Sequence, residues 1–219
     1  MVLLDNQSID ARLADAHLKI ITVRDDNKIN AALFPFGYTE IRIGEGLQLY
    51  NTAFDLQKFQ KKEYGEQFAA TEGFQAALNE AATLSMLHVN VARVAFRNHG
   101  YLLREAELDD ERKVTYTGWL GQTRQFYSVC LEHPDAPPLL EKFGLTTDIL
   151  TAAQQKVEDV HSLKIKQIHE SGDAQLATKE RDKALDTLEA WVADLVAIAR
   201  VALADSPQLL EKMGIKVKS

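Results

Sequence analysis

The 219-residue chain holds a single cysteine, Cys130. One thiol cannot build an internal disulfide framework, and its scarcity fits a reducing compartment. Cys130 reads as a small buried hydrophobe rather than as a nucleophile. Basic charge is also short: 25 Lys and Arg stand against 32 Asp and Glu, a formal net charge of −7. Duplex binding draws most of its affinity from Lys and Arg contacts to phosphate, so nucleic acid is not an expected partner. Long apolar runs are missing too. A membrane span needs roughly 18 uninterrupted apolar residues. The closest stretch, WVADLVAIARVAL, is broken by Asp194 and Arg200. The opening MVLLDNQSID has no basic region and only a short apolar run, which is not the pattern of a signal peptide. The expectation is a soluble, cytoplasmic protein without a membrane partner. At 46% hydrophobic, the chain can bury a core as one large domain or two small ones.

The usual catalytic patterns are absent from the sequence as well. No Gly-rich phosphate loop follows a strand, because no stretch reads convincingly as a strand. The six histidines are scattered and none sits in a Ser, Cys or Asp constellation. His88 lies among apolar neighbours and reads as a core histidine with its polar atoms satisfied.

What the sequence does have is a near repetition, ARVAF at 92–96 and ARVAL at 199–203. Sliding the chain on itself by 107 residues, without gaps, brings Arg93 onto Arg200. Phe36, Gly37 and Thr39 then fall on Phe143, Gly144 and Thr146, and Glu63 and Gly65 on Glu170 and Gly172. Ala70 and Thr71 fall on Ala177 and Thr178, and Leu102 and Leu103 on Leu209 and Leu210. One constant offset over so many positions predicts an internal duplication, with units at 1–108 and 109–219 packed as one domain. Two such units are too few and too long for a solenoid.

The repeat also resolves local ambiguity. TEIRIGEGLQLY alternates like a strand, but its counterpart TTDILTAAQQKV is rich in helix formers, so both are expected to be helices. HVNVARVAF is corrected in the same way by LVAIARVAL. Each unit reads as three helices, at about 8–23, 39–62 and 71–97, matched by 116–131, 146–169 and 178–204. Thr39, Thr71, Thr146 and Thr178 stand where N-caps belong. Gly65 and Gly172 are expected to break the second helix from the third. Gly44 and Gly46 are expected to allow close helix approach. In the last long helix, apolar residues from Leu185 to Leu203 run almost all the way round, predicting a central, buried element. Short amphipathic pieces recur as caps: GYLLREAEL, PPLLEKFGL and PQLLEKMGI. EAELDDERKV, from Glu105, reads as a solvated connector.

Two metal chemistries find partial motifs in the chain. Helical di-metal sites use Glu-x-x-His motifs, and Glu158 with His161 supplies one, without a symmetric partner because Asn51 and Phe54 hold the equivalent positions. All-helical nucleotide pyrophosphohydrolases hold magnesium with paired carboxylates. Glu63 with Glu66, and Glu107 with Asp110, have that spacing, but the first pair straddles Gly65 and the second lies in the connector. No cofactor is expected.

The ending WVADLVAIARVALADSPQLLEKMGIKVKS, with FGYTEIRIGEGLQL and KEYGEQFAAT, resembles a group of uncharacterised all-helical bacterial proteins. The resemblance implies a helical fold and a bacterial origin and carries no site residues.

The sequence therefore predicts an all-α, internally duplicated bundle of two pseudo-equivalent three-helix units. Four long helices run antiparallel, with short capping helices. Each second and third helix should form a hairpin turning near Gln67 and near Ala174. That hairpin would pair Arg93 with Glu40 and Arg200 with Asp148, each carboxylate favoured in a first helical turn. The alternative role for the two arginines is to grip an anion. The expected function is a non-catalytic scaffold or interaction module with a protein partner or with itself. The runner-up is a metal-dependent small-molecule or nucleotide hydrolase using helix-borne Glu and Asp.

Overall fold

Ser8 starts the first helix: its hydroxyl accepts the Ala11 N–H at 3.2 Å and α1 runs Ile9–Asp25. Asp26 leaves the helix and starts the next, its carboxylate accepting the Lys28 and Ile29 N–H groups ahead of α2, Asn27–Leu33. A 3-10 turn, Phe34–Phe36, leads into α3, Glu40–Ala95. Then come α4, Gly100–Glu105, and α5, Tyr116–Glu132, capped by Thr115 on the Gly118 N–H. The chain closes with α6, Ala136–Glu141, α7, Thr147–Ala202, and α8, Pro207–Lys212. These elements belong to a computed structural model that describes residues 8–217. The reading of residues 1–7 lies outside them.

Among the described residues there is no strand, so the all-α expectation holds. Both alternating stretches, TEIRIGEGLQLY and HVNVARVAF, lie in α3 apart from their outer residues Thr39 and Phe96. Among the described residues no helix is long and apolar enough to cross a membrane.

The expected helix breaks do not occur. α3 and α7 are each a continuous helix of 56 residues, passing straight through Gly65 and Gly172. A mid-helix glycine costs only about 1 kcal/mol relative to alanine, too little to end a helix that is buried on one face. Thr71 and Thr178 are consequently not N-caps. Their hydroxyls donate back to the Gln67 and Ala174 carbonyls, at 2.9 and 2.8 Å, as mid-helix threonines do. Thr146 does cap, accepting the Ile149 N–H at 3.4 Å.

The chain forms two compact units. One unit is Gly65–Gly172; the other joins the residues before Gly65 to those from Asp173 onward. Each unit thus takes one half of α3 and one half of α7. In the discontinuous unit, Leu13, Ile20 and Val23 of α1 pack with Ile43 and Ala53 of α3 and with Leu188, Leu195 and Ala199 of α7. There the bulk of Trp191 needs Gly46, where a Cβ would come within 2.7 Å of the indole Cζ3; Gly44 meets nothing. Val201 is 63% exposed, so the end of α7 is not buried all round. In the Gly65–Gly172 unit, Val89 and Ala92 of α3, with Phe96 just beyond it, pack with Phe126 and Cys130 of α5 and with Leu150 and Val157 of α7.

The short helices sit on these cores through Leu102, Leu140 and Leu210. Three of them end alike. Glu107, Gly144 and Gly214 have φ of 49, 81 and 74°, and the next residue turns inward to be buried: Leu108, Leu145 and Ile215. Each closes a Schellman pair, for example Leu108 N–H to Leu103 carbonyl and Glu107 N–H to Arg104 carbonyl.

Candidate functional site

Arg93 and Glu40 lie in the last and first turns of the same 56-residue helix, and so do Arg200 and Asp148. A continuous helix separates its ends by about 1.5 Å per residue, so no bridging water spans either pair. Both expected ion pairs are therefore wrong, because the hairpins they required do not form. Arg93, half-buried, donates its Nε–H to the Leu108 carbonyl at 3.1 Å. Arg200 is exposed, so the two ARVA arginines have different surroundings.

Leu108 belongs to EAELDDERKV, residues 105–114, expected to be a solvated connector. It is instead held to α5. Lys113 donates its N–H to Gln122 Oε1 at 3.3 Å, and Gln122 Nε2 donates to the Glu111 carbonyl at 3.3 Å. Gln125 Nε2 reaches the Glu105 carbonyl at 2.9 Å. Gln122 is only 2% exposed, so these bonds satisfy a buried amide. The segment itself carries Arg112, half-buried, whose Nε and Nη2 are shielded from solvent with no hydrogen-bond partner. Burial pushes its pKa down, and the charge of Arg93 adds to that; Glu107 opposes it. The carboxylate of Glu107 is on Lys113, at 3.4 Å. Two guanidinium groups thus share one end of the Gly65–Gly172 unit, and one of them lacks partners. Nothing in the run DDERKV distinguishes a half-buried arginine from its solvated neighbours, so neither Arg112 nor Gln122 was legible there.

Glu158 and His161 are engaged with protein. Arg124 donates Nε–H and Nη2–H to the two Glu158 oxygens, at 2.8 and 2.5 Å, which holds that carboxyl below the usual range. His161 Nδ1 shares a hydrogen bond of 3.2 Å with the Tyr116 hydroxyl. A metal at Glu158 would have to displace Arg124.

Glu63 and Glu66 stand one turn apart on α3, with carboxylate oxygens within 4.8 Å of each other. Glu63 is buried and pairs with Lys62 at 3.5 Å. Glu107 and Asp110 lie beyond the far end of α3, beside Leu108 and Arg93. From Glu66 to Arg93 the helix rises about 40 Å, so the two acidic pairs do not converge on one cation. Glu170 of α7, in the same unit as Glu66, has an oxygen within 4.8 Å of it.

His88, 2% exposed, has Nδ1 at 3.0 Å from the Tyr127 hydroxyl, so it is a satisfied core histidine as expected. Burial lowers the His88 pKa and pushes the Cys130 thiol up to about 12. A thiol so far from its thiolate is a packing group.

Comparison with protein-family models, curated proteins and solved structures gives no match.

Proposed function

We propose that the chain is an internally duplicated, antiparallel helical scaffold of the cytoplasm. It works by binding protein, in the first place a second copy of itself, rather than by catalysis. The observation that carries the reading is on α3, where Phe59, Tyr64 and Phe68 are 45%, 61% and 61% exposed within ten residues. Tyr64 and Phe68 are four apart and share a helix face. Covering such a side chain is worth about 1.5–3 kcal/mol, and exposed aromatics at this density mark interaction surfaces.

The duplication is supported by element bounds. α5, α7 and α8 begin and end 107 residues after α1, α3 and α4. The antiparallel arrangement is supported within the Gly65–Gly172 unit by two contacts. Gln167 Nε2 reaches Thr71 Oγ1 at 3.5 Å, and Lys156 pairs with Glu80 at 2.6 Å. As α3 advances, α7 retreats.

Sedimentation equilibrium across a wide concentration range tests the reading. Reversible self-association is expected, with Phe68→Ser weakening it about tenfold or more. A chain that stays monomeric at several hundred micromolar, or a dimer indifferent to Phe68→Ser and Tyr64→Ser, removes it.

A further inference from the structure

We infer that a second copy of the chain lies antiparallel along α3, related to the first by a twofold axis at Gly65. The inference rests on the self-association reading above and adds to it the contact face, the direction and the register.

The face is a stripe of α3 that its own chain leaves uncovered. Phe54, Lys58, Lys61, Gly65, Phe68 and Glu72 follow one another at spacings of four, three, four, three and four, and all six are exposed. That alternation keeps them on one line along a helix, and it is the spacing at which two helices mesh. At Gly65 a Cβ would meet nothing within 4 Å, so the packing of this chain does not require a glycine there. Glycine weakens a helix, but a bare backbone lets a second helix lie close.

Charge selects the partner and its direction. From Lys58 to Lys62 every charged residue is basic, and from Glu63 to Glu72 every one is acidic. Lys58 stands seven residues before Gly65 and Glu72 seven after it. A twofold at Gly65 therefore sets each Lys58 against Glu72 of the other copy, about 10 Å to either side of the axis. A parallel copy in register would set lysine against lysine and glutamate against glutamate. In the antiparallel arrangement Phe68, 61% exposed, meets the aliphatic stem of Lys61. Lysine over phenylalanine already occurs on this helix, where Lys58 Nζ lies 4.2 Å from the Phe54 ring centroid. Lys61 keeps its exposed ion pair with Asp10, at 2.9 Å.

The other long helix supplies a contrast. Its equivalent stripe, 107 residues on, reads Ile165, Ile168, Gly172, Gln175 and Lys179. That stripe has no acid, so it is not complementary to itself in charge. Where α3 carries Tyr64 and Phe68, α7 carries Ser171 and Gln175, so a long helix of this kind does not need aromatic residues at those positions.

Sedimentation equilibrium of charge variants tests the arrangement. Lys58→Glu and Glu72→Lys each turn two attractive contacts per dimer into repulsive ones, and each alone should weaken self-association about tenfold. An equimolar mixture of the two variants should associate about as tightly as wild type, because each copy then meets the opposite charge on the other. Raised salt should weaken the wild-type dimer for the same reason. Variants that associate at wild-type strength, or a mixture as weak as its components, overturn the antiparallel register and leave the self-association reading standing. If a variant fails to fold, the wild type decides: a dimer indifferent to salt overturns the register. A wild-type chain that stays monomeric removes the self-association reading and this inference with it, and leaves the stripe to a different protein.

Discussion

Glu107 stands after α4 in the left-handed conformation that Gly214 adopts after α8, with φ of 49° against 74°. Both residues turn the chain so that the next side chain, Leu108 or Ile215, is buried. A side chain in this conformation costs about 1–2 kcal/mol that glycine avoids. Glu107→Gly is therefore expected to stabilise the protein by about 1 kcal/mol. The lost contact to Lys113, 3.4 Å long and largely exposed, offsets little of this. A higher urea midpoint with unchanged slope is the expected result; a lower midpoint would contradict it.

The mid-helix glycines give the opposite signs at different sites. A Cβ at Gly65 or Gly172 would meet nothing within 4 Å, whereas at Gly46 it would strike the Trp191 ring. Gly65→Ala and Gly172→Ala should each add about 0.5–1 kcal/mol by favouring the helix. Gly46→Ala should remove about 1–3 kcal/mol by overpacking. Urea unfolding of the three single variants checks both directions.

Arg124 and Glu158 make an acid-sensitive link. The bidentate bond holds the Glu158 pKa below its ordinary value, so its stabilisation is present at neutral pH. It should fade as pH falls through about 4 and below, where the folded carboxyl takes a proton. Both side chains are 40% exposed, so the pair is worth about 0–1 kcal/mol. Arg124→Ala should flatten this part of the stability profile. The same bond occupies both oxygens of Glu158, so protein purified without chelator should carry no stoichiometric metal at Glu158 and His161. Elemental analysis giving one metal per chain, lost in Glu158→Gln, would contradict that.

His88 should make the protein less stable on mild acidification. Its pKa is lowered in the folded state by burial, so between that value and about 6.5 the unfolded chain binds more protons. Stability is full above about pH 6.5 and declines as pH drops through the window. His88→Gln should remove the decline. Urea midpoints at pH 7.5 and 5.5 that differ equally in both proteins would rule His88 out as the cause.

Cys130 is buried, with its thiol pushed up to about 12, and should resist alkylation at pH 8 in the native state. Its labelling rate should rise with urea in step with unfolding. Prompt native labelling would show that the core around Phe126 and Tyr127 opens.

The helical class was legible in the sequence, because it rests on local propensity read twice at one offset. TTDILTAAQQKV, dense in Ala, Gln and Leu, corrected the false alternation of TEIRIGEGLQLY, and both lie in long helices. The bounds expected for the first helix of each unit, 8–23 and 116–131, fall close to those of α1 and α5. Propensity and capping chemistry decide such features within a few residues of chain. What Gly65 and Gly172 do was not legible. A hairpin and a through-helix bury the same apolar stripe, since periodicity records which face is covered and not by what. The choice depends on whether residues beyond each glycine gain more by folding back or by continuing. Only the tertiary structure decides that, by giving each half of α3 a half of α7 as core partner. The fate of the charges followed the same decision. Arg93 lost Glu40 to the far end of its own helix, and Arg112, one cation in a charged run, was half-buried by the folding of its neighbours. Burial of a charge is a property of everything packed around it, and a linear sequence does not contain that list.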